Sequence, residues 1–220
     1  MGGTLEMRRN IALVVLVIIV LGLVGWKLSG QSTAQKKTDS STKQTAVKTN
    51  GKQKAQKQKT QKKSVMRTPI DWRKSSETVA YPDLSKVQNF WIEVSTKNQR
   101  VYLKDGAKVI YTMYASTGSG EKTATDDNST PLGTYAVQEE KGDFFYNAAS
   151  GEGAHYWVSW KDHGIYLFHS VPTDQSGNYI VSEAEKLGKH AASHGCVRLS
   201  VPDAKWMYEN LKVGTKVVIK

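Results

Sequence analysis

The chain is poor in cysteine, with one, Cys196, in 220 residues. A single thiol excludes an intramolecular disulfide framework and also a zinc site built mainly from thiolates. Acidic residues are scarce in the first third: residues 1–70 hold 14 Lys and Arg against 2 Asp and Glu, while residues 71–220 hold 17 against 18. A folded nucleic-acid-binding domain would carry its basic residues on the globular part. We therefore expect no nucleic-acid partner.

Only one long uncharged run is present, close to the N-terminus. Residues 11–26 are rich in Val, Ile and Leu and follow Arg8 and Arg9. Positive charge ahead of an apolar segment is typical of an export signal. Its 16 residues would span roughly 24 Å as a helix, short of the ~30 Å hydrocarbon core but longer than most signal-peptide apolar regions. Residues 1–28 are therefore predicted to be a membrane anchor, or alternatively a cleaved signal, with the rest of the chain outside.

Residues 29–66 consist mainly of Lys, Gln, Thr and Ser, and residues 29–63 contain no proline and no aromatic residue. Such a segment cannot bury enough apolar surface to offset the entropy lost on ordering. We predict a disordered, solvated linker. Its positive charge could also bring it to anionic lipid headgroups or to anionic wall polymers.

Strand signals recur through residues 88–220, which we expect to form one domain preceded by a lead-in segment, residues 67–87. One helix is well marked, with Ser200 as its N-cap and an end before Gly214. A weaker helix covers residues 182–187. We expect a mainly β domain, sandwich or barrel-like, with one or two short helices. The predicted strands are residues 90–94, 100–103, 107–115, 133–138, 156–160, 165–168 and 216–219.

The lone cysteine stands in the block Ser193-His194-Gly195-Cys196, directly ahead of the marked helix, and His169 ends a predicted buried strand. A thiol with a pKa of about 8.5 is mostly protonated at neutral pH, so a nucleophilic cysteine needs an imidazole that takes its proton and holds an ion pair. Gly195 permits close approach of a substrate, and the amides near Gly195 and Cys196 could face an oxyanion. The block predicts thiol nucleophilic catalysis; a buried structural cysteine is the plain alternative.

The same histidine and cysteine side chains could instead bind a metal ion. His190, His194 and Cys196 are close in sequence, and His169 could complete a tetrahedral zinc site. The spacing fits no common zinc pattern, and the chain has no His-Glu-x-x-His motif. The main expectation is thus a site without a metal or cofactor. A zinc-dependent hydrolase is kept as the alternative function class. The other two histidines, His155 and His163, are expected to be structural.

At these residues the sequence resembles the L,D-transpeptidase (YkuD-type) catalytic domain of bacterial cell-wall enzymes. The most specific matching block is residues 193–199, because the others would be weak alone. The resemblance implies a mainly β L,D-transpeptidase-type fold for residues 88–220, preceded by the N-terminal apolar helix and the linker. The remaining matching blocks are residues 91–94, 115–118, 130–135 and 168–170.

The resemblance also implies roles for individual residues. Cys196 would be the acylated nucleophile and His169 its base, with the backbone carbonyl of Ser170 orienting the imidazole. The further implied site residues are His194 and Gly195 on the oxyanion side, and Ser193 and Arg198 at the substrate, the arginine facing a carboxylate. One departure from the shortest family members is the polar stretch 171–188 between the histidine and the cysteine, which could be a lid over the acyl site.

By the same resemblance the protein is an extracytoplasmic peptidoglycan enzyme. The thiolate would attack the carbonyl of the third residue of a stem peptide, release the terminal D-alanine and pass the acyl group to an amine, which forms a 3→3 cross-link. Hydrolysis of the same thioester, as in an L,D-carboxypeptidase, is left open, and a zinc-dependent wall hydrolase is the alternative from another class. Members of the family are acylated by carbapenems. The implied partners are peptidoglycan stem peptides, the cell membrane and wall polymers.

Overall fold

The computed structural model describes residues 64–220. The predicted apolar helix within residues 1–28, and the linker up to residue 63, lie outside the described residues. Within residues 64–220, no helix is both long enough and apolar enough to cross a membrane. The elements are a 3-10 helix (Leu84–Lys86), β1 (Phe90–Ser95), β2 (Arg100–Asp105), β3 (Lys108–Ser116), β4 (Gly133–Ala136), β5 (Lys141–Asn147), β6 (Glu152–Lys161), β7 (Tyr166–Ser170), α1 (Val181–Ala184), β8 (Val197–Leu199), α2 (Val201–Asn210) and β9 (Lys216–Ile219).

The nine strands of residues 64–220 form one sheet in the order β4-β9-β1-β2-β3-β8-β7-β6-β5. One antiparallel meander comprises β1, β2 and β3, and β9 lies parallel to β1. A second meander comprises β5, β6 and β7. The short strand β8 joins the two, since it is antiparallel to β3 and parallel to β7. The prediction of a mainly β domain with few helices is confirmed.

The sheet curls until its far parts meet. The Gln138 N–H, just after β4, donates to the Ser159 carbonyl of β6 at 2.8 Å, and the Ser159 N–H donates to the Glu140 carbonyl at 2.9 Å. The barrel-like description therefore fits better than two separate packed layers. Aliphatic and aromatic side chains fill the interior, among them the fully buried Ile92, Val101, Leu103, Met113 and Phe168.

The sequence pattern misses two strands. The exposed strand β5 mixes aromatic residues with Lys141, Gly142 and Asp143, so it shows no clean alternation. Strand β8 has three residues and is recognisable only through its pairing inside the sheet. The weaker predicted helix over residues 182–187 is a single turn, α1. Short elements of this kind are held by tertiary contacts, which sequence periodicity does not report.

Helix α2 begins where the sequence predicts, because the Ser200 hydroxyl accepts a hydrogen bond from the Asp203 N–H at 3.2 Å. The helix packs against β6 and β7. The Asp203 carboxylate is fully buried, and the hydroxyls of Ser76 and Tyr81 both donate to it. Burial raises the pKa of Asp203, although those hydroxyls and Ser200 act in the opposite direction. The predicted lead-in segment thus supplies two partners of a buried carboxylate.

A second, smaller core joins the lead-in segment to the stretch 171–188. The Tyr114 hydroxyl donates to the Arg67 carbonyl at 2.8 Å, and the Trp72 carbonyl accepts from the Val201 N–H at 2.9 Å. These contacts place residues ahead of the predicted domain boundary against the sheet. The buried members of this second core are Trp72, Tyr114, Val171, Ala184 and Leu187.

Candidate active site

The candidate residues come together because β7 and β8 are neighbouring parallel strands. Their register pairs His169 with Arg198 and Phe168 with Val197, which places Cys196, one residue before β8, beside Leu167. Side chains alternate along a strand, so Leu167, His169, Cys196 and Arg198 point to one face of the sheet. All four line one cavity of about 350 Å³.

The Cys196 thiol lies against the backbone at the start of β7. It accepts a hydrogen bond from the Leu167 N–H at 3.4 Å, and it donates to the Ile165 carbonyl at 3.5 Å. The residue as a whole is half-buried. Burial raises the pKa of the Cys196 thiol to about 11, while the Leu167 N–H and the Arg198 charge oppose this rise.

The His169 imidazole is buried and held in one orientation. Its Nδ1 lies 2.6 Å from the Ser170 carbonyl, so Nδ1 carries the proton and donates it, which leaves Nε2 as the acceptor. The Phe145 ring meets the imidazole edge-on, with 5.6 Å between the ring centroids. Burial first, and the Arg198 charge second, lower the pKa of His169 to about 3, although the Ser170 carbonyl raises it.

Ser170 is itself fixed by two bonds of its hydroxyl. The hydroxyl accepts from the His155 N–H at 3.0 Å and donates to the Val171 carbonyl at 2.8 Å. The residue has no exposed surface. The carbonyl that contacts His169 therefore belongs to a rigid part of the sheet, as a base-orienting group requires.

The resting charge state differs from the ion pair that the sequence predicts. With the thiol pKa raised and the imidazole pKa lowered, Cys196 and His169 are both neutral across the physiological range. The cause is burial, which disfavours the charged form of each group. Proton transfer from sulfur to Nε2 must then accompany substrate binding or attack.

This charge state predicts slow alkylation of Cys196 at neutral pH. The rate constant for labelling by iodoacetamide should rise about tenfold per pH unit toward the thiol pKa, because only the thiolate reacts. The measurement is the labelling rate between pH 6 and 10 by intact-protein mass spectrometry. Since Cys196 is the sole cysteine of the chain, Cys196→Ala protein gives the background. A rate that is already constant from pH 7 upward would show a resting ion pair instead.

The turn that carries Cys196 is closed by hydroxyl groups. The Ser193 hydroxyl donates to the Cys196 carbonyl at 2.6 Å and accepts from the Gly195 N–H at 3.1 Å. The Thr130 hydroxyl donates to the Gly195 carbonyl at 2.8 Å and accepts from the Gly118 N–H at 2.8 Å. These bonds occupy the Ser193 hydroxyl and the Gly195 amide, so their predicted substrate and oxyanion roles stay predictions.

Gly195 cannot be replaced without strain. Its φ is +121°, and a Cβ there would lie 2.9 Å from the Tyr166 ring and 3.2 Å from the Ser129 carbonyl oxygen. Gly195→Ala should therefore lower stability by about 1–3 kcal/mol and reduce D-alanine release from a stem peptide by at least about tenfold, since it displaces Cys196. Thermal unfolding and turnover would be measured together.

Gly214→Ala is the matched control for this substitution. Gly214 also has a positive φ, +84°, but nothing lies within 4 Å of its added Cβ. It should lose stability with no loss of turnover. Equal turnover in Gly195→Ala and the wild type would contradict the importance of the turn.

Arg198 is almost fully buried between two carboxylates. Its Nη2 lies 2.6 Å from Glu152 Oε2, and its Nη1 lies 3.0 Å from Glu183 Oε2. A substrate carboxylate, the partner suggested by resemblance, would have to compete with both, so this role stays a prediction. His194 is exposed, with Nδ1 3.7 Å from the same Glu152 oxygen.

Several residues of the site are not predicted by the sequence. Glu152 and Phe145 line the cavity, but no motif surrounds either. Thr130 falls in one of the matching blocks, although the block does not reveal that its hydroxyl bridges two loops. Glu183 resembles part of a polar helix face in sequence, yet it contacts the buried arginine.

His155, His163 and the stretch 171–188 are not among the described residues that line the catalytic cavity. His155 packs against Phe144 with 5.0 Å between ring centroids, and His163 Nδ1 lies 2.7 Å from Glu140. Within residues 64–220 no group of three or more His, Cys, Asp or Glu side chains is placed to hold a metal ion. Within the same range, the residues lining the cavity include none from 171–188. That stretch packs on the second core instead, which corrects the expectation of a lid.

A curled β domain with this cavity matches a known family of enzymes. Residues 89–219 match the YkuD family, the L,D-transpeptidase catalytic domain. The chain belongs to this family. It is 50% identical over 157 residues to YciB of Bacillus subtilis (strain 168), whose name places it provisionally among the L,D-transpeptidases; the match covers 71% of this chain and 78% of YciB.

Solved structures also match. A fused zinc-dependent amidase, peptidase and peptidoglycan-binding-domain protein from Clostridium acetobutylicum ATCC 824 is 31% identical, covering 60% of this chain and 52% of that chain, with a TM-score of 0.43. An L,D-transpeptidase from Xylanimonas cellulosilytica DSM 15894 is 21% identical, covering 64% and 65%, with a TM-score of 0.47. The chain thus spans about half to two thirds of these solved chains.

Proposed function

We propose that the protein is an extracytoplasmic peptidoglycan L,D-transpeptidase that forms 3→3 cross-links through a thioester on Cys196. The observation that carries this proposal is the shared cavity of Cys196 and His169, with the imidazole Nδ1 bonded to the Ser170 carbonyl at 2.6 Å. This arrangement leaves Nε2 for the thiol proton. Membership in the L,D-transpeptidase family supplies the substrate class.

Acylation begins when the thiol proton passes to His169 Nε2 as sulfur attacks the carbonyl carbon of the third stem residue. The Leu167 N–H favours the thiolate and so assists this step, whereas the Arg198 charge favours the thiolate but disfavours the imidazolium. The C–S bond forms, the C–N bond to the terminal D-alanine breaks, and the imidazolium returns its proton to the leaving amine. The stem is then held as a thioester.

Deacylation decides the product. Attack on the thioester by an amine of a second stem makes the cross-link, whereas attack by water gives the L,D-carboxypeptidase product. In both cases Nε2 takes a proton from the nucleophile and passes it to the departing sulfur. Selection of the amine over water requires a place that holds the acceptor.

We also propose that the protein is held at the outer face of the cell membrane. Residues 1–28 would hold the protein at the outer face of the cell membrane, and the basic linker 29–66 would let the domain reach the wall and contact its anionic polymers. Release of the protein from membranes by alkaline carbonate would contradict an uncleaved anchor. A mature N-terminus between residues 28 and 66 would show a cleaved signal.

The test is incubation of the full-length protein, purified in detergent, with disaccharide-tetrapeptides whose third residue is either L-lysine or meso-diaminopimelate. Mass spectrometry should show loss of D-alanine and the appearance of cross-linked dimers. Tripeptide products without dimers would make the enzyme a carboxypeptidase. Release that survives Cys196→Ala and stops with a chelator would make it a zinc hydrolase, and no release from either peptide would contradict the proposed substrate.

A further inference from the structure

The catalytic cavity shares a wall with a second cavity of about 420 Å³. Glu152, Ser193 and His194 line both. Two adjoining cavities that share lining residues can hold two ligands side by side, one at the nucleophile and one beyond the shared wall. A transpeptidase needs such a pair of places, since the acyl donor and the acceptor must meet at the thioester.

Glu152 presents an oriented carboxylate at this junction. One oxygen, Oε2, is held by Arg198 Nη2 at 2.6 Å and lies 3.7 Å from His194 Nδ1. The other oxygen, Oε1, accepts no hydrogen bond from any group in residues 64–220, and it is not among the fully enclosed polar atoms. The side chain is only one-fifth exposed. An ion pair with a buried arginine therefore fixes the carboxylate, while its second oxygen can bind a ligand.

The charges around the second cavity favour a cation. Glu183 uses Oε2 for Arg198 at 3.0 Å and Oε1 for Lys186 at 2.6 Å, so neither oxygen is left for a ligand. The titratable residues that line the second cavity are Glu121, Glu152, Glu183, Lys186, His190 and His194. Arg198 contacts Glu152 and Glu183 from outside this lining, and with both histidines counted as neutral the three carboxylates exceed the two cations by one negative charge. Lys186 and Arg198 already form ion pairs with these carboxylates. Glu152 Oε1 is a carboxylate oxygen of fixed orientation that has no hydrogen-bond donor among residues 64–220.

We propose that Glu152 binds the ammonium group of the acyl acceptor in the second cavity and positions it for attack on the Cys196 thioester. This inference rests on the proposed function. The ammonium first loses a proton to water at the cavity mouth, and the resulting amine stays hydrogen-bonded to Oε1. Its nitrogen then attacks the thioester carbonyl: the C–N bond forms, the C–S bond breaks, and the second proton passes through His169 Nε2 to sulfur.

The experiment compares Glu152→Gln with Glu183→Gln in the full-length protein. Each substitution removes one ion pair of Arg198, so an effect that acts only through the arginine would appear in both. The quantity measured is the ratio of dimer to hydrolysed tripeptide formed from the disaccharide-tetrapeptides, a ratio set after acylation. Hydroxylamine, which is neutral at pH 7.5, serves as a second nucleophile, and the ratio of hydroxamate to hydrolysed tripeptide is recorded. Thermal unfolding of both variants is followed in parallel.

Glu152→Gln should lower the dimer ratio by about tenfold or more, as expected for losing a charge-assisted hydrogen bond, and leave the hydroxamate ratio unchanged. Glu183→Gln, which removes the other ion pair of Arg198, should lower the dimer ratio clearly less than Glu152→Gln does, since both Glu183 oxygens are already engaged. Three results would overturn this inference and leave the proposed function intact. They are an unchanged dimer ratio in Glu152→Gln, an equal fall of the dimer and hydroxamate ratios in Glu152→Gln, and a fall of the dimer ratio in Glu183→Gln as large as that in Glu152→Gln. Absence of D-alanine release and dimers in the wild type would instead overturn the proposed function, and the inference with it.

Discussion

Cys196→Ala is expected to reduce D-alanine release from a disaccharide-tetrapeptide by roughly a thousandfold or more, and His169→Ala should do the same. The thiol supplies the attacking atom, and the imidazole Nε2 is the proton acceptor that shares its cavity. Because a nucleophile and its base act as a unit, the double variant should be scarcely slower than either single variant. Turnover is measured by mass spectrometry alongside thermal unfolding, which separates loss of chemistry from loss of fold.

His163→Ala is the matched control for the histidine. His163 is exposed, pairs with Glu140 and is not among the described residues that line the catalytic cavity, so its loss should leave turnover unchanged. If His169→Ala kept most of the wild-type rate, another group would have to be the base.

Removal of residues 1–87 should destabilise the domain severely, whereas removal of residues 1–63 should leave it folded and active. The longer deletion takes away Trp72 from the second core and the hydroxyls of Ser76 and Tyr81 from the buried Asp203 carboxylate. Loss of a buried tryptophan costs about 3–5 kcal/mol, and a buried carboxylate that keeps only Ser200 as a hydroxyl partner adds a penalty of about 1–3 kcal/mol. The midpoint of thermal unfolding should fall by at least about 10 °C, or the protein should fail to fold.

Thermal unfolding of the two truncated proteins, purified alike, checks this prediction. The double substitution Ser76→Ala with Tyr81→Phe in the chain lacking residues 1–63 isolates the carboxylate partners from the tryptophan. Equal stability of the two truncated proteins would show that residues 88–220 are self-sufficient, as the predicted domain boundary implies.

The candidate nucleophile and the candidate base can be proposed from the sequence because both stand in local patterns. Cys196 is the sole thiol and lies beside a histidine and a glycine, and His169 ends an apolar strand. Their proximity depends on the parallel pairing of β7 with β8. The sequence does not show that pairing, since β8 has three residues and no period of its own. The family resemblance implies that Cys196 and His169 act together, but it does not show the strand pairing that joins them.

The surroundings of the site cannot be predicted in the same way. Arg198 is 46 residues from Glu152 and 15 residues from Glu183 in sequence, so only the folded chain brings them together, and each acid looks like an ordinary surface residue in sequence. The polar composition of residues 171–188 suggests a mobile lid, but three apolar members, Val171, Ala184 and Leu187, anchor the stretch to the second core. The charge state of the Cys196–His169 pair is hidden from the sequence for a related reason, because the pKa of each partner depends on burial that only the folded chain defines.

Intact-protein mass spectrometry after mixing with a carbapenem is the most direct test that Cys196 is an acylated nucleophile. The strained lactam carbonyl of the drug would occupy the place of the scissile carbonyl. A thiolate nucleophile would open the lactam and retain the drug as a thioester. The expected result is one added drug mass on the wild type and on His163→Ala, and none on Cys196→Ala or on protein alkylated beforehand by iodoacetamide. An adduct-free protein that hydrolyses the drug and loses this activity to a chelator would contradict the cysteine mechanism.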